Sequence, residues 1–111
     1  MKKIIFTSKA PAPIGPYSQA VLVNNMLYTS GQIAINPETN EIILDTIETE
    51  TEQVMQNLKA VLDEAGMTFE NVIKTTIFIM NMDDFAKINS VYGKYFDEKT
   101  APARETVQVA C

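Results

Sequence analysis

The spacing of apolar positions in the first third of the chain is typical of strands. The run "KKIIFTS" (2–8) indicates a short strand, and "SQAVLV" (18–23) and "MLYTSG" (26–31) are two further β-prone runs. Asn24-Asn25 separates the last two runs, and asparagine tolerates the positive φ angles that a two-residue hairpin turn requires. The pattern therefore predicts three strands, the last two of which form a hairpin.

Two later segments have helical spacing. Over residues 45–65, apolar side chains recur at intervals of three and four, and Gly66 stands at the expected C-terminal position. A second series with the same spacing covers residues 85–96, and Asp83-Asp84 precedes it as a predicted cap. We therefore predict two amphipathic helices.

Two more strands are predicted beside these helices. "VIKTTIFIM" (72–80) is nearly all apolar and rich in β-branched residues, which is typical of a strand in mid-sheet that is covered on both faces. In "ARETVQVA" (103–110), the period-two alternation places Arg104, Thr106 and Gln108 on one side of a strand. The order β-β-β-α-β-α-β predicts an α+β fold with two helices on one face of a sheet. The other face is left bare and partly apolar, which favours a homo-oligomer whose identical subunits cover it.

Length and composition predict one globular domain spanning residues 1–111. Hydrophobic residues make up 46% and charged residues 21% of the chain, as in a folded protein rather than a disordered one. The net charge of −5 repels phosphate backbones and anionic membranes, so neither nucleic acid nor a membrane is an expected partner. The apolar run after Lys2-Lys3 is too short for a secretory signal, and no stretch approaches the roughly 20 apolar residues of a membrane-spanning helix. A cytoplasmic location is expected by default.

The titratable residues limit the chemistry that is expected. The chain has no histidine and a single cysteine, Cys111. An internal disulfide, most zinc, iron or copper sites and the usual Ser-His or Cys-His nucleophile pairs are therefore not expected, and a reducing compartment fits. Any catalysis should depend on the positioning of a substrate.

Arg104 is the strongest single candidate for a functional side chain. It follows the rigid Pro102 and is expected to be held on the sheet, where its planar guanidinium can bind a carboxylate through two parallel hydrogen bonds. The alternative is a structural ion pair with Glu105 or another acid.

Tyr17 and Ser30-Gly31 are further candidates. Tyr17 lies near the end of the proline-rich loop "KAPAPIGPYS" (9–18), a candidate site wall, where its phenol either lines a cleft or packs as a half-buried ring. Ser30-Gly31 follows the hairpin, and a glycine there either allows a ligand to approach the backbone closely or simply ends the strand.

Five blocks carry a resemblance to a known family: "APAPIGPYSQA", "LYTSGQI", "NLKAVLDEAG", "VIKTTIFIMNMDDFAKIN" and "PARETVQVA". They occur in this order from Ala10 to Ala110 and together resemble the RidA family, also called the YjgF family. The ordered set is highly specific, above all "IGPYSQ" with "PAR". The resemblance implies a chorismate-mutase-like α+β fold, with a mixed sheet and two helices on one face. It also implies a homotrimer whose sites lie in the clefts between subunits.

The activity that the resemblance implies is the deamination of enamine and imine intermediates. Such a hydrolase converts reactive 2-imino acids, such as 2-iminobutanoate and 2-iminopropanoate, to 2-oxo acids and ammonia, with neither metal nor cofactor. The family's functional positions match six residues here: Arg104, Ser30 and Tyr17 as catalytic residues, with Gly31, Asn89 and Thr106 as further binding residues. Arg104 would bind the substrate carboxylate. Relatives often have cysteine where Thr106 stands, so a main-chain role is implied at that position and a thiol role is not.

The end of the sequence departs from the family pattern. Relatives normally continue with a turn resembling "LPK" and a last strand whose glutamate holds the attacking water, and the sequence printed here has neither. We expect an incomplete chain rather than a natural short form, because "VQVAC" is uncharged and strand-like whereas chain ends are usually polar.

Two other functions compete with imine hydrolysis. The first is a non-catalytic or regulatory module that binds small carboxylates in the same inter-subunit clefts. The second is a ribonuclease, an activity ascribed to some relatives. The net charge of −5 and the absence of histidine argue against RNA cleavage.

Overall fold

The structure is a computed structural model, and it describes residues 1–110. The predictions that concern Cys111 lie outside the described residues. Within residues 1–110, the elements follow one another as β1-β2-β3-α1-β4-α2-β5, the order predicted from the sequence. Their bounds are Lys3–Ile5 (β1), Ala20–Val23 (β2), Met26–Thr29 (β3), Ile47–Glu64 (α1), Lys74–Ile79 (β4), Phe85–Tyr92 (α2) and Ala103–Gln108 (β5).

The first three strands form an antiparallel sheet in the order β1-β2-β3. Asn24 and Asn25 join β2 to β3, and their φ angles of 49° and 66° both lie in the left-handed region. Two consecutive residues with positive φ give a turn whose twist matches that of the flanking strands, and asparagine adopts this conformation more readily than most residues. The predicted hairpin is confirmed.

Helix α1 begins slightly later than the predicted start at Asp45, because Thr46 caps it. The Thr46 hydroxyl accepts a hydrogen bond from the Thr49 N–H at 3.1 Å, and the Thr49 hydroxyl accepts one from the Thr46 N–H at 3.1 Å. This reciprocal arrangement satisfies two backbone donors that the first turn leaves unpaired. At the other end, Gly66 adopts a φ of 74°, which lets the chain turn away from the helix.

A small apolar core lies between α1 and the antiparallel sheet. It consists of Ile5, Ala20 and Val61, together with Ala10 from the proline-rich loop, and each of these residues is at most 3% exposed. Because the core includes Ala10, the loop is part of the folded body rather than an appendage. The core therefore fixes the position of one candidate site wall.

β4 and β5 form a parallel pair that α2 connects. Helix α2 also packs against α1, so the two helices are neighbours, as predicted. The second helix is shorter than the predicted 85–96, because 3-10 turns at Met82–Asp84 and Gly93–Tyr95 flank it. The predicted cap is also only partly correct. Asp84 occupies the N-cap position without a side-chain capping bond.

The five strands divide into two hydrogen-bonded groups within residues 1–110, a three-stranded antiparallel sheet and a two-stranded parallel sheet. The predicted α+β class, with mixed strand directions and two helices, is confirmed. The prediction that segment 72–80 is covered on both faces is wrong for the single chain. Ile79 is buried, but Phe78 and Met80 are 67% and 65% exposed. Strand β4 therefore has one covered face and one open apolar face.

The antiparallel sheet also has an open apolar face. Ile4, Val21 and Tyr28 are paired neighbours across the three strands, and they lie on the side opposite to Ile5 and Ala20. Ile4 and Tyr28 are about half exposed or more. Contiguous exposed apolar surface of this kind marks an interaction site. Coverage of this face by identical subunits stays a prediction.

Candidate functional site

Tyr17, Ser30 and Gly31, three of the candidate residues, lie around one pocket. The pocket has a volume of about 170 Å³, and its walls are the proline-rich loop and the segment that follows β3. Its remaining lining is mostly apolar, including Ile14 and Ile33, and it contains no acidic or basic side chain. This pocket can therefore hold a small molecule by shape and by hydrogen bonds, with little charge of its own.

Ser30 is fixed by two hydrogen bonds to the chain that enters β2. Its hydroxyl donates to the Ser18 carbonyl at 2.6 Å, and its N–H donates to the Gln19 carbonyl at 2.9 Å. The hydroxyl proton is thus in use, and the oxygen lone pairs remain available to accept a hydrogen bond. Beside it, a Cβ added to Gly31 would meet nothing within 4 Å, so packing inside the chain does not require a glycine here.

Tyr17 closes a tight turn in the proline-rich loop. Its N–H donates to the Gly15 carbonyl at 2.9 Å, and its hydroxyl accepts a hydrogen bond from the Ile14 N–H at 3.3 Å. Gly15 has a φ of 119°, a backbone angle that residues other than glycine rarely adopt. Tyr17 is 53% exposed; it lines the pocket and, through its hydroxyl, also stabilises the loop that carries it.

Gln19 is a residue that sequence reasoning missed. It is 2% exposed, and its side-chain amide pairs with the backbone of Thr7 on both sides, accepting from the N–H at 2.7 Å and donating to the carbonyl at 3.0 Å. The same amide donates to the carbonyls of Ala10 and Pro11. Gln19 therefore holds the start of the proline-rich loop against β2.

Asn57 plays the corresponding part for the opposite pocket wall. It is 1% exposed in the middle of α1, and its side-chain amide donates to the carbonyls of Ile33 and Ile35 at 3.1 and 3.0 Å. Its carbonyl oxygen accepts a hydrogen bond from Gln53. The one sequence signal for this role is a polar residue on the apolar side of α1, three residues after Val54 and one before Leu58.

Arg104 lies on β5 beside helix α2. Its guanidinium donates to the Asn89 side-chain oxygen at 2.6 Å, and its central carbon lies 5.2 Å from the Phe85 ring centroid and 5.1 Å from that of Tyr92. The remaining N–H groups of Arg104 have no protein hydrogen-bond partner among residues 1–110. The alternative, an ion pair of Arg104 with Glu105 or another acid, is not formed among residues 1–110. The structure thus brings together two of the candidate residues, Arg104 and Asn89.

Thr106 follows two residues later, on the same side of β5 as Arg104. Its hydroxyl oxygen is buried and has no hydrogen-bond partner within the described residues. A buried hydroxyl without a partner is uncommon, since its loss of hydration is not compensated. The side chain therefore contributes no bond to the Arg104 group inside the chain.

The predicted site residues form two groups rather than one. Tyr17, Ser30 and Gly31 line the pocket, whereas Arg104, Asn89 and Thr106 lie on β5 and α2 and are not part of its lining. No hydrogen bond joins the two groups across residues 1–110. Over the same range, no cluster of three His, Cys, Asp or Glu side chains could hold a metal ion, and no helix is long and apolar enough to cross a membrane.

A family profile, protein sequences and solved structures that are similar to this chain all indicate one family. The sequence profile of the family described as "Endoribonuclease L-PSP" matches residues 7–111. A RutC family protein of Synechocystis sp. is 55% identical over 109 residues, which are 97% of this chain and 84% of that protein. The chloroplastic Reactive Intermediate Deaminase A of Arabidopsis thaliana is 42% identical over 109 residues, 98% of this chain and 58% of that protein. The crystal structure of E. coli TdcF with bound serine matches with a TM-score of 0.90 at 45% identity, covering 97% of this chain and 86% of that one.

These relatives show both the fold class and the family of this chain. The fold is the chorismate-mutase-like α+β arrangement shared by proteins of the Rid type. Within this class, the chain belongs to the Endoribonuclease L-PSP family, the RidA family that its sequence blocks resemble. The family includes a reactive intermediate deaminase, which supports imine deamination as the general activity.

Proposed function

We propose that this protein hydrolyses reactive 2-imino acids, such as 2-iminobutanoate and 2-iminopropanoate, to 2-oxo acids and ammonia. The observation that carries the proposal is the Arg104 guanidinium, which Asn89 holds through one donor while its other N–H groups have no protein partner in the described chain. Arginine binds a carboxylate through two parallel hydrogen bonds, so these free donors suit the carboxylate of an imino acid. TdcF, a relative with bound serine, holds a molecule that has a carboxylate next to an amino group.

The reaction places modest demands on the protein. A water molecule adds to the imine carbon, the C–N bond of the resulting carbinolamine breaks, and ammonia leaves as the C=O bond forms. Because the imine carbon is already electrophilic, the protein's main contribution is to fix the carboxylate and orient the imine toward water. In this scheme Arg104 anchors the carboxylate, Ser30 and Tyr17 hydrogen-bond the imine nitrogen or the water, and the main chain at Thr106 completes the polar wall.

The two residue groups require a second subunit if they are to act on one substrate. In a homotrimer, a heterologous contact places one surface of each chain against a different surface of the next. This arrangement would bring the Arg104 group of one subunit to the Tyr17 and Ser30 pocket of its neighbour. The exposed apolar face around Ile4 and Tyr28 supports such an assembly. Sedimentation equilibrium should give three times the monomer mass, and a stable monomer with full activity would contradict the shared cleft.

The test of the activity uses an imino acid that an amino acid dehydratase generates in the cuvette. Semicarbazide traps the imine that escapes hydrolysis, so added protein should lower the rate of semicarbazone formation. Loss of a two-point, charge-assisted contact of about 3–4 kcal/mol in Arg104→Ala should reduce kcat/KM about 100- to 1000-fold. Arg104→Lys keeps the charge without the fork and should lose less. Lys87→Ala, which removes an exposed cation from α2, is the matched control. Equal rates for wild type and Arg104→Ala would refute the proposal.

A carboxylate-binding module is the second candidate, and the composition of the pocket favours it. Among residues 1–110, the lining has no acidic or basic side chain that could hold or activate water. Calorimetric binding of a 2-oxo acid that depends on Arg104, without any turnover of the imine, would select this function. The expected cytoplasmic location and the absence of a nucleic acid partner stay predictions. RNA cleavage by rigorously purified protein, lost in Arg104→Ala, would contradict the latter.

A further inference from the structure

Helix α2 presents three side chains to Arg104 along a single stripe. Phe85, Asn89 and Tyr92 are spaced by four and three residues, so they fall within an arc of about 60° on the helix surface. Asn89 stands between Phe85 and Tyr92 in the sequence, and its side-chain oxygen accepts the hydrogen bond from the guanidinium. The stripe therefore surrounds Arg104 with one hydrogen-bond acceptor and two aromatic faces.

Both rings lie within the distance at which a cation is attracted to an aromatic face, about 6 Å. The guanidinium carbon is 5.2 Å from the Phe85 centroid and 5.1 Å from the Tyr92 centroid. Tyr92 is itself fixed, because it is buried, its hydroxyl is 2.7 Å from the Thr75 hydroxyl, and its ring lies 4.8 Å from that of Phe96. One of the two aromatic contacts is thus made by a ring that cannot easily move.

We propose that Phe85 and Tyr92 are positioning residues that hold the Arg104 guanidinium in its carboxylate-binding orientation. The inference rests on the proposed function and adds to it. Arginine on an exposed strand has many rotamers, and fixing them on substrate binding costs conformational entropy. Attraction through the ring faces restricts the rotamers before the substrate arrives and leaves N–H groups free for the carboxylate. The single hydrogen bond that the guanidinium donates to Asn89 would not restrict rotation about the axis of that bond.

The first experiment observes Arg104 directly, without substrate. Aromatic ring currents shift the NMR signal of a nearby guanidinium, so the Arg104 Nε–H resonance should be displaced from that of a solvent-exposed arginine. The resonance is assigned by its loss in Arg104→Lys. In Phe85→Leu the displacement should decrease, whereas Tyr92→Phe keeps the ring and should keep most of it. Phe69→Leu is the matched control, because Phe69 packs against Tyr95 and Phe96 instead.

The second experiment asks whether the rings act through Arg104. Phe85→Leu should raise KM for the imine and the dissociation constant of a 2-oxo acid about threefold, the fold-change expected for one exposed cation–π contact. In the Arg104→Ala background, Phe85→Leu should have no further effect, since the group being positioned is gone. A merely structural role for Phe85 would weaken binding equally in both backgrounds.

The outcomes separate this inference from the proposed function. An Arg104 resonance that does not move in Phe85→Leu, or equal losses of 2-oxo acid binding in both backgrounds, would overturn the positioning role. Tyr92→Phe keeps an aromatic ring at this position. If this variant folds but its Arg104 Nε–H resonance is no longer displaced, the ring is not the cause of the displacement, and the proposal is contradicted. A wild-type protein that neither binds a 2-oxo acid nor hydrolyses an imine would refute the proposed function. In that case the Arg104 resonance still decides whether the rings hold the guanidinium.

Discussion

Replacement of Gln19 by leucine tests how the pocket is held in place. Leucine is close in volume to glutamine and can stay buried, but it makes none of the hydrogen bonds to Thr7, Ala10 and Pro11. The substitution therefore removes the link between β2 and the proline-rich loop without opening a large cavity. It leaves every residue proposed to contact the substrate unchanged.

The magnitude follows from the contacts that are lost. Each hydrogen bond contributes about 1 kcal/mol net, and a buried polar group that loses its partner costs about 1–3 kcal/mol. The Thr7 N–H and carbonyl are buried, whereas the Pro11 bond is part-buried and the Ala10 bond is long at 3.3 Å, so water can replace part of the loss. We expect the free energy of unfolding to fall by about 2–4 kcal/mol, which is about 30-fold or more in the unfolding constant.

Urea denaturation at one protein concentration measures this change. With a slope of about 2 kcal/mol per molar urea, the midpoint should fall by about 1–2 M. Hydrogen exchange supplies the local readout, because the Thr7 N–H should lose its protection in Gln19→Leu. Gln32→Leu is a matched control, since Gln32 lies on the same pocket but has no side-chain hydrogen bond within residues 1–110. A midpoint shift below about 0.5 M together with unchanged protection of the Thr7 N–H would refute the reasoning.

Three further substitutions probe helix α1 and strand β5. Asn57→Leu should lower the free energy of unfolding by about 2–3 kcal/mol, because the Ile35 carbonyl loses its donor and the Ile33 carbonyl keeps only the bond from the Ile35 N–H; a shift below about 1 kcal/mol in urea would contradict this. Thr46→Ala removes one half of the reciprocal cap of α1, the hydroxyl that accepts from the Thr49 N–H, and should cost about 1 kcal/mol by the same assay; an unchanged stability would contradict a role for this cap. Thr106→Val replaces a buried hydroxyl that has no hydrogen-bond partner in the described chain. The thermal midpoint should rise, because the desolvation cost of the hydroxyl, about 1–3 kcal/mol, disappears. A lower midpoint would show that the hydroxyl has a partner.

Local rules predicted the elements but not all of their ends. The hairpin followed from Asn24-Asn25 alone, because positive φ at two consecutive positions is a local property. Helix α1 was correct within two residues, and its start depends on the capping pair of Thr46 and Thr49, which the spacing of apolar residues does not report. Helix α2 was predicted too long, since the apolar spacing continues through the 3-10 turn at Gly93–Tyr95. Spacing reports which side of a segment is buried, and a 3-10 turn can bury the same side.

The candidate site could be predicted only where the type of a single residue indicates its chemistry. Arg104 was identified by its residue type and by the strand that holds it, but its contacts with α2 depend on tertiary packing. The roles of Gln19 and Asn57 could not be predicted, because their partners outside their own elements are backbone N–H and carbonyl groups, and any loop sequence supplies such groups. Motif resemblance named Tyr17, Ser30 and Arg104 together, whereas a single chain keeps them in separate groups.

The way Gln19 binds the proline-rich loop has a consequence for protein engineering. Its amide contacts only the backbone of Thr7, Ala10 and Pro11, so this attachment does not depend on which side chains the loop carries at positions 12 and 14. Residues such as Ala12 and Ile14 face the pocket on a frame whose attachment does not depend on their identity. A library randomised at these two positions should therefore keep the fold while changing which small molecules fit. The same independence would let natural selection alter ligand preference without first rebuilding the scaffold.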